Sequence, residues 1–319
     1  MCRLGLHQAG IHPVLAIEHD KHAVATYEKN FPDTRALCGD ICHTSFKKYR
    51  GSVDLVVGGP PCQPFSVAGN QRSFEDPRDM IPQFFRVLSE VKPSCFMLEN
   101  VAGLASLRHR AYLNRAIERF ESLGYFVCHK IINSALHGVP QDRKRLIIFG
   151  SQFTGFEFPK ASHGPSGRYP FLSAGEALAN VPEDEPNKAI VTYAKKPVLR
   201  PSPFAGMLVN GRGSPIDLNR TSQTIPASAG GNSTHIVDPD QILVAYHEYL
   251  CSGGKPRRGL VDGVRRLTIR ESARLQTFPD SFEFEGTRSA QYSQIGNAVP
   301  PKLALSLAKT IQVHFSSSL

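Results

Sequence analysis

The chain has 319 residues, 41% of them hydrophobic, enough for one large core or two unequal domains. Lys and Arg outnumber Asp and Glu by 37 to 28, for a formal charge of +9 and a pI near 9.3. That excess suits a polyanion partner and equally an ordinary basic enzyme. The seven cysteines form an odd set without the paired spacing of a zinc site, which argues against a disulfide scaffold and a bound metal. No apolar run approaches the roughly 18 residues of a membrane span, and the chain shows no charged-then-apolar leader, so a cytoplasmic enzyme without a membrane partner is expected.

Up to about residue 150, short β-type runs alternate with helical stretches, the pattern of a mostly parallel sheet covered by helices. Strands are predicted at 13–18, 53–59, 95–101, 126–132 and 145–150. Between them Ile81, Phe84, Phe85, Leu88 and Val91 recur at helical spacing, as do Leu113, Ile117 and Phe120. From 151 to about 260 the texture turns to Pro, Gly, Ser and Asn, with two loop-like stretches, GRGSPIDLNR (211–220) and PASAGGNSTH (226–235). Order returns with LTIRESARLQTF, a helix opened by Thr268 with Glu271 in capping-box spacing. A last helix follows Pro300 and Pro301 through Leu303, Leu307 and Ile311.

Three segments carry the chemistry. GGPPCQPFS starts where the strand VDLVVGG ends, so Cys62 sits at the carboxyl end of a strand, where open α/β sheets bind their ligands. LENV places Glu99 and Asn100 at a second strand end, and a carboxylate there is costly unless it is exposed or partnered. QDRKR supplies Gln141, Arg143 and Arg145; the two arginines alternate along the start of a strand and so share a face. A thiolate nucleophile, an acid and paired arginines fit attack on an aromatic ring that must first be activated. The chain has no GxGxxG run, against a nicotinamide or flavin enzyme.

GPPCQPFS, ENV, QDRKR, RRLTIRESARLQTFPD and QIGNAVPP, in this order and with a variable region between the third and fourth, resemble the blocks of the DNA cytosine-5 methyltransferases of prokaryotes and phages. The resemblance implies a doubly wound, Rossmann-like S-adenosylmethionine-dependent fold over 1–150 plus 288–319, with a smaller target-recognition domain over 151–287. It implies Cys62 as nucleophile, Glu99 as acid, and Arg143 with Arg145 holding the base carbonyl and flanking phosphate and lowering the thiol pKa, supported by Gln141. The target base is out of reach inside a duplex and would be flipped out. S-adenosylmethionine is the implied cofactor, with Glu18 and Asp40 on its ribose and adenine, Ile41, Gly59 and Pro61 beside it, and Asn297 and Val299 closing its pocket.

Duplex DNA is the implied partner, a cognate restriction endonuclease a further one, and a monomer the expected state. Arg212, Arg220 and Gln223 are candidate base or phosphate contacts; Lys255, Arg257 and Arg258, with Arg265 and Arg266, form a phosphate-binding candidate. The stretch from Ser66 to Arg78 is expected to close over the DNA, with Gln71 or Arg72 near the vacated base position. Family members open with a strand bearing Asp-Leu-Phe and a Phe-x-Gly-x-Gly turn, whereas this sequence opens at MCRLGLHQAG. The expectation is that this strand is encoded upstream. The alternatives are a cofactor-deficient protein that only binds DNA, a strand supplied by another polypeptide, or an enzyme acting on RNA cytosine.

Overall fold

The sheet follows from where the apolar runs lie and how they are connected. In the computed structural model, which describes residues 2–61, 79–182, 185–227 and 231–317, helix α1 (Arg3–Gln8) leads to β1 (Ala16–Glu18), α2 (Lys21–Asn30) and β2 (Ala36–Cys38). Strands β1 and β2 pair in parallel. Then come β3 (Leu55–Gly58), α3 (Ile81–Val91), β4 (Cys95–Val101), α4 (Arg110–Glu121), β5 (Phe126–Asn133) and β6 (Lys144–Ser151). The second sheet has the order β3-β4-β6-β5, with β3 parallel to β4 and β6 antiparallel to both β4 and β5.

The architecture is α/β, as the sequence reading expected, and in the second sheet β6 alone runs against the direction of its described neighbours. The reason is local. Only a 3-10 turn (Ser134–His137) and a short loop separate β5 from β6, too little chain for a helical crossover, so β6 returns antiparallel. The expected helices stand where the spacing put them. Phe84 and Leu88 of α3 and Phe120 of α4 pack with Phe96, Leu98, Leu146 and Ile148 on one face of the sheet. Leu303, Leu307 and Ile311 of α9 (Pro301–Ser316) cover Met97, Ile147 and Phe149 on the other.

The region after β6 holds α5 (Ala174–Leu178), the antiparallel pair β7 (Tyr193–Val198) and β8 (Met207–Val209), then β9 (Ile236–Val237), α6 (Ile242–Cys251) and β10 (Arg265–Arg266), which pairs with β9. Its own core joins Val191, Leu208, Val209, Ile236, Leu243 and Tyr246. Helix α6 has apolar residues all round, so no stripe marked it in the sequence. Helix α7 (Ile269–Leu275) opens with the predicted capping box. Although the sequence reading places it in the recognition region, Ala273, Phe278 and Phe282 pack with Phe31 and with Ile295 of α8 (Arg288–Asn297). No helix among the described residues is long and apolar enough to cross a membrane, and no group of side chains among them could hold a metal ion.

Candidate active site

The tips of β3, β4 and β6 converge. Beyond β3 the chain turns through Gly59, Pro60 and Pro61, and the buried Asn100 donates from Nδ2 to the Pro60 carbonyl at 3.2 Å, fixing that turn. A Cβ at Gly59 would sit 3.4 Å from Glu99 Oε2, so the backbone ahead of residue 62 passes beside this carboxylate. Arg145, two residues into β6, sends Nε to Glu99 Oε1 at 2.9 Å, and both side chains are largely buried, at 15% and 13% exposure. Burial lowers the Arg145 pKa, and Glu99 acts against that fall. The sequence reading named Asn100 without a role; its position directly after Glu99 on an alternating strand was the available signal.

Cys62, Gln71 and Arg72, with the rest of the stretch from Ser66 to Arg78, lie outside the described residues. Among the remaining cysteines, burial pushes the thiols of Cys2, Cys95 and Cys128 up to about 11, which leaves them protonated and poor nucleophiles at neutral pH.

Arg143 departs from its expected role. It is 1% exposed and its guanidinium turns away from solvent, donating from Nη2 to the Gly296 carbonyl at 2.8 Å and from Nη1 to that of Ile225 at 3.4 Å. Burial and the neighbouring Arg145 bring its pKa down to about 9. A side chain so placed does not reach a phosphate. Gln141, fully buried, completes the same junction: its Oε1 accepts from Ile225 N at 3.2 Å and its Nε2 donates to the Leu275 carbonyl at 3.3 Å.

The cofactor candidates cluster at strand ends. Glu18 closes β1 and accepts the backbone N–H groups of His19 and Asp20 on Oε1. Asp40 follows β2 and accepts Cys42 N at 2.8 Å, a hydrogen bond that lowers its pKa. Since β1 and β2 are parallel neighbours, these exposed carboxylates share one edge, each able to accept from hydroxyl or amino groups, and so they fit a ribose and an adenine. Ile41 packs its side chain toward Phe46 and Val91. Gly59, Pro61 and Asn297 are exposed, whereas Val299 is buried against Met97 and Leu303.

The DNA-reading candidates divide. Arg212, Arg220, Lys255, Arg257 and Arg258 are exposed, with the Arg257 guanidinium lying over the rings of Tyr246 and Tyr249 at 5.5 and 5.1 Å. Gln223 is turned inward, donating to the carbonyls of Phe204 and Pro215, and leaves the candidate set. Arg265 is committed to Glu271 through two hydrogen bonds, at 2.7 and 2.6 Å, and Arg266 is buried, so neither belongs to a phosphate-binding cluster.

Comparison with known proteins follows the same lines. The chain is 36% identical over 323 residues to the Type II methyltransferase M.PspPI of Psychrobacter sp. (strain TA137), covering 97% of this chain and 75% of that protein. It is 35% identical to the Type II methyltransferase M1.HphI of Haemophilus parahaemolyticus, over 97% and 82% of the two chains. The solved structure of S. pombe Dnmt2 methyltransferase superposes with a TM-score of 0.70 at 19% identity, over 98% of this chain and 95% of that one, a likeness of fold. Residues 1–313 match the family model of the C-5 cytosine-specific DNA methylases, and the chain belongs to that family.

Proposed function

We propose that this chain methylates carbon 5 of cytosine within a specific sequence of duplex DNA, using S-adenosylmethionine. The observation that carries the reading is the Glu99–Arg145 ion pair set beside Gly59 at the end of β3, with Asn100 holding the turn that leads into Cys62. Carbon 5 is a poor nucleophile while the ring is aromatic. The Cys62 thiolate adds to carbon 6 and breaks that aromaticity, and Glu99 supplies a proton or hydrogen bond at ring nitrogen 3 to take up the displaced electron pair. Arg145 holds Glu99 in place and offers its remaining donors to the base carbonyl. When bound, S-adenosylmethionine supplies an electrophilic methyl group to carbon 5; Glu18 and Asp40 would hold its ribose and adenine. Loss of the carbon 5 proton to solvent water then expels the Cys62 thiolate, the proton at ring nitrogen 3 returns to Glu99, and the ring is restored. The chemistry requires the base to leave the stack.

Arg143 and Gln141 act here by joining the catalytic strands to the Ser222–Ile225 segment, rather than by touching substrate. The relatives are named Type II methyltransferases, and on that likeness a cognate endonuclease is proposed as the functional partner of a monomeric enzyme. The slot between β1 and β3, neither of which pairs on its second edge among the described residues, is proposed to take a strand encoded upstream of MCRLGLHQAG.

The test is covalent trapping on duplex DNA carrying 5-fluorocytosine, run on the 319-residue chain and on one extended upstream in frame. A cysteine adduct is expected from at least one of them and none from its Cys62→Ser variant, with duplex affinity retained. An adduct that survives the substitution would sink the assignment of Cys62, and no adduct from either unsubstituted chain would sink the enzymatic reading.

A further inference from the structure

Arg266 is 2% exposed and has no carboxylate among its hydrogen-bond partners in the described residues. Burying a guanidinium without a counter-charge is costly, and what offsets it is a set of backbone carbonyls. Its Nη1 donates to the carbonyls of Arg212 and Thr234, each at 2.7 Å, and its Nη2 to that of Asn210 at 3.0 Å. One buried cation therefore ties the 210–213 loop to the 231–234 turn.

Both loops are fixed further. Asn210 donates from Nδ2 to Thr192 Oγ1 and to the Tyr193 carbonyl, each at 2.8 Å, and from its backbone N–H to Thr192 O at 2.9 Å. The turn is held by Asn187, whose Nδ2 reaches the Gly231 carbonyl at 3.0 Å. Gly211 and Gly213 have φ of +83° and +96°, a region side chains rarely adopt. A Cβ at Gly213 would stand 2.2 Å from Thr234 O, and one at Gly211 would stand 2.9 Å from Asn232 O. Between two glycines pressed onto the opposite turn, Arg212 alone projects. It is exposed, and its guanidinium has no hydrogen-bond or carboxylate partner among the described residues.

A phosphate attracts any exposed cation and asks for little orientation; a base edge asks for a donor fork held in register. The rigid backbone under Arg212 supplies the second. We propose that Arg212 reads a guanine in the major groove, through O6 and N7, and that Arg266 is the positioning residue that holds it there. This rests on the reading of the chain as a sequence-specific duplex DNA enzyme.

The experiment binds the full chain to a pool of duplexes randomised at their centre and sequences the bound fraction. The unsubstituted protein is expected to enrich a motif with a fixed G·C pair. Arg212→Ala is expected to lose discrimination at one such position, by about 5- to 100-fold, and keep it elsewhere. Arg212→Lys should weaken discrimination at the same position by less than Arg212→Ala does, because an ammonium can still donate to O6 and N7 but lacks the fixed planar fork. Arg266→Met is expected to blur the same position; a loss spread evenly over all positions would overturn its positioning role. The two Arg212 variants alter only an exposed side chain and decide the base-reading proposal even if Arg266→Met fails to fold. An unchanged motif in Arg212→Ala overturns that proposal alone, whereas no motif from the unsubstituted chain overturns the functional reading along with it.

Discussion

Glu99 and Arg145 show how one contact sets the state of a site. The carboxylate lies beside the strand end that leads toward residue 62 and is held in place by the Arg145 guanidinium at 2.9 Å. Glu99→Gln keeps the size, removes the acid and leaves Arg145 without its partner charge. Single-turnover methyl transfer in this variant is expected to fall by at least about 100-fold, with duplex affinity changed by less than about threefold. A smaller loss of rate would remove Glu99 from proton transfer. The contact between Glu99 and Arg145 was foreshadowed in the sequence because each is a charged residue at one end of an apolar strand, where a polar group needs a reason. Arg143 was misread for an equally physical cause. Arg143 stands just ahead of β6, and alternation along a strand says nothing about which distant segment covers its side chain. Here the cover is residues 222–227, some eighty positions away, which turn a surface cation into a buried one.

At the level of elements, helices were legible wherever a stripe faced a sheet, as in α3, α4 and α9, and illegible where apolar residues surround the axis, as in α6. The junction between the two parts of the molecule was not legible at all, because it is made of backbone pairing. The Asp142 N–H donates to the Ser222 carbonyl and the Ser222 N–H to that of Pro140, at 2.8 and 3.0 Å, while Gln141 and Arg143 take the N–H and the carbonyl of Ile225. Arg143 also binds Gly296, so one side chain ties the start of β6, the segment around Ile225 and α8 together. Arg143→Met keeps much of the volume but leaves the Ile225 and Gly296 carbonyls without this donor. Urea unfolding is expected to show a loss of about 1–3 kcal/mol, with the fall in methyl transfer reversed in part at lower temperature. An unchanged unfolding midpoint would mean that the junction does not depend on this residue.

Across the whole molecule, the β1–β2 pair and the β3-β4-β6-β5 sheet are not joined by strand pairing among the described residues. Ile17 of β1 and Val56 of β3 both pack on the cluster of Phe46, Val87 and Val91, so the sheets share one apolar floor. Yet β3, with the sequence LVVG of an interior strand, is only half-buried along its length, unlike β4 beside it. Edge strands of this character are usually covered or charged, and neither β1 nor β3 pairs on its second edge among the described residues. The α1 helix packs on α9, and Cys2 ahead of it lies close enough to Glu99 to feel its charge, so the chain enters α1 at the carboxyl edge of the sheet. A parallel strand in the slot would end at that same edge, which is the connection a right-handed βαβ unit needs. Filling the slot would complete two ladders and bury Ile17, Leu55, Val56 and Val57, a gain on the order of several kcal/mol. A chain extended upstream in frame is therefore expected to protect the backbone amides of β1 and β3 from hydrogen exchange and to bind S-adenosylmethionine in calorimetry. Without the extension those amides should exchange faster by at least about tenfold, and cofactor affinity should fall. Equal protection and equal affinity in the two chains would show that nothing needs to enter the slot.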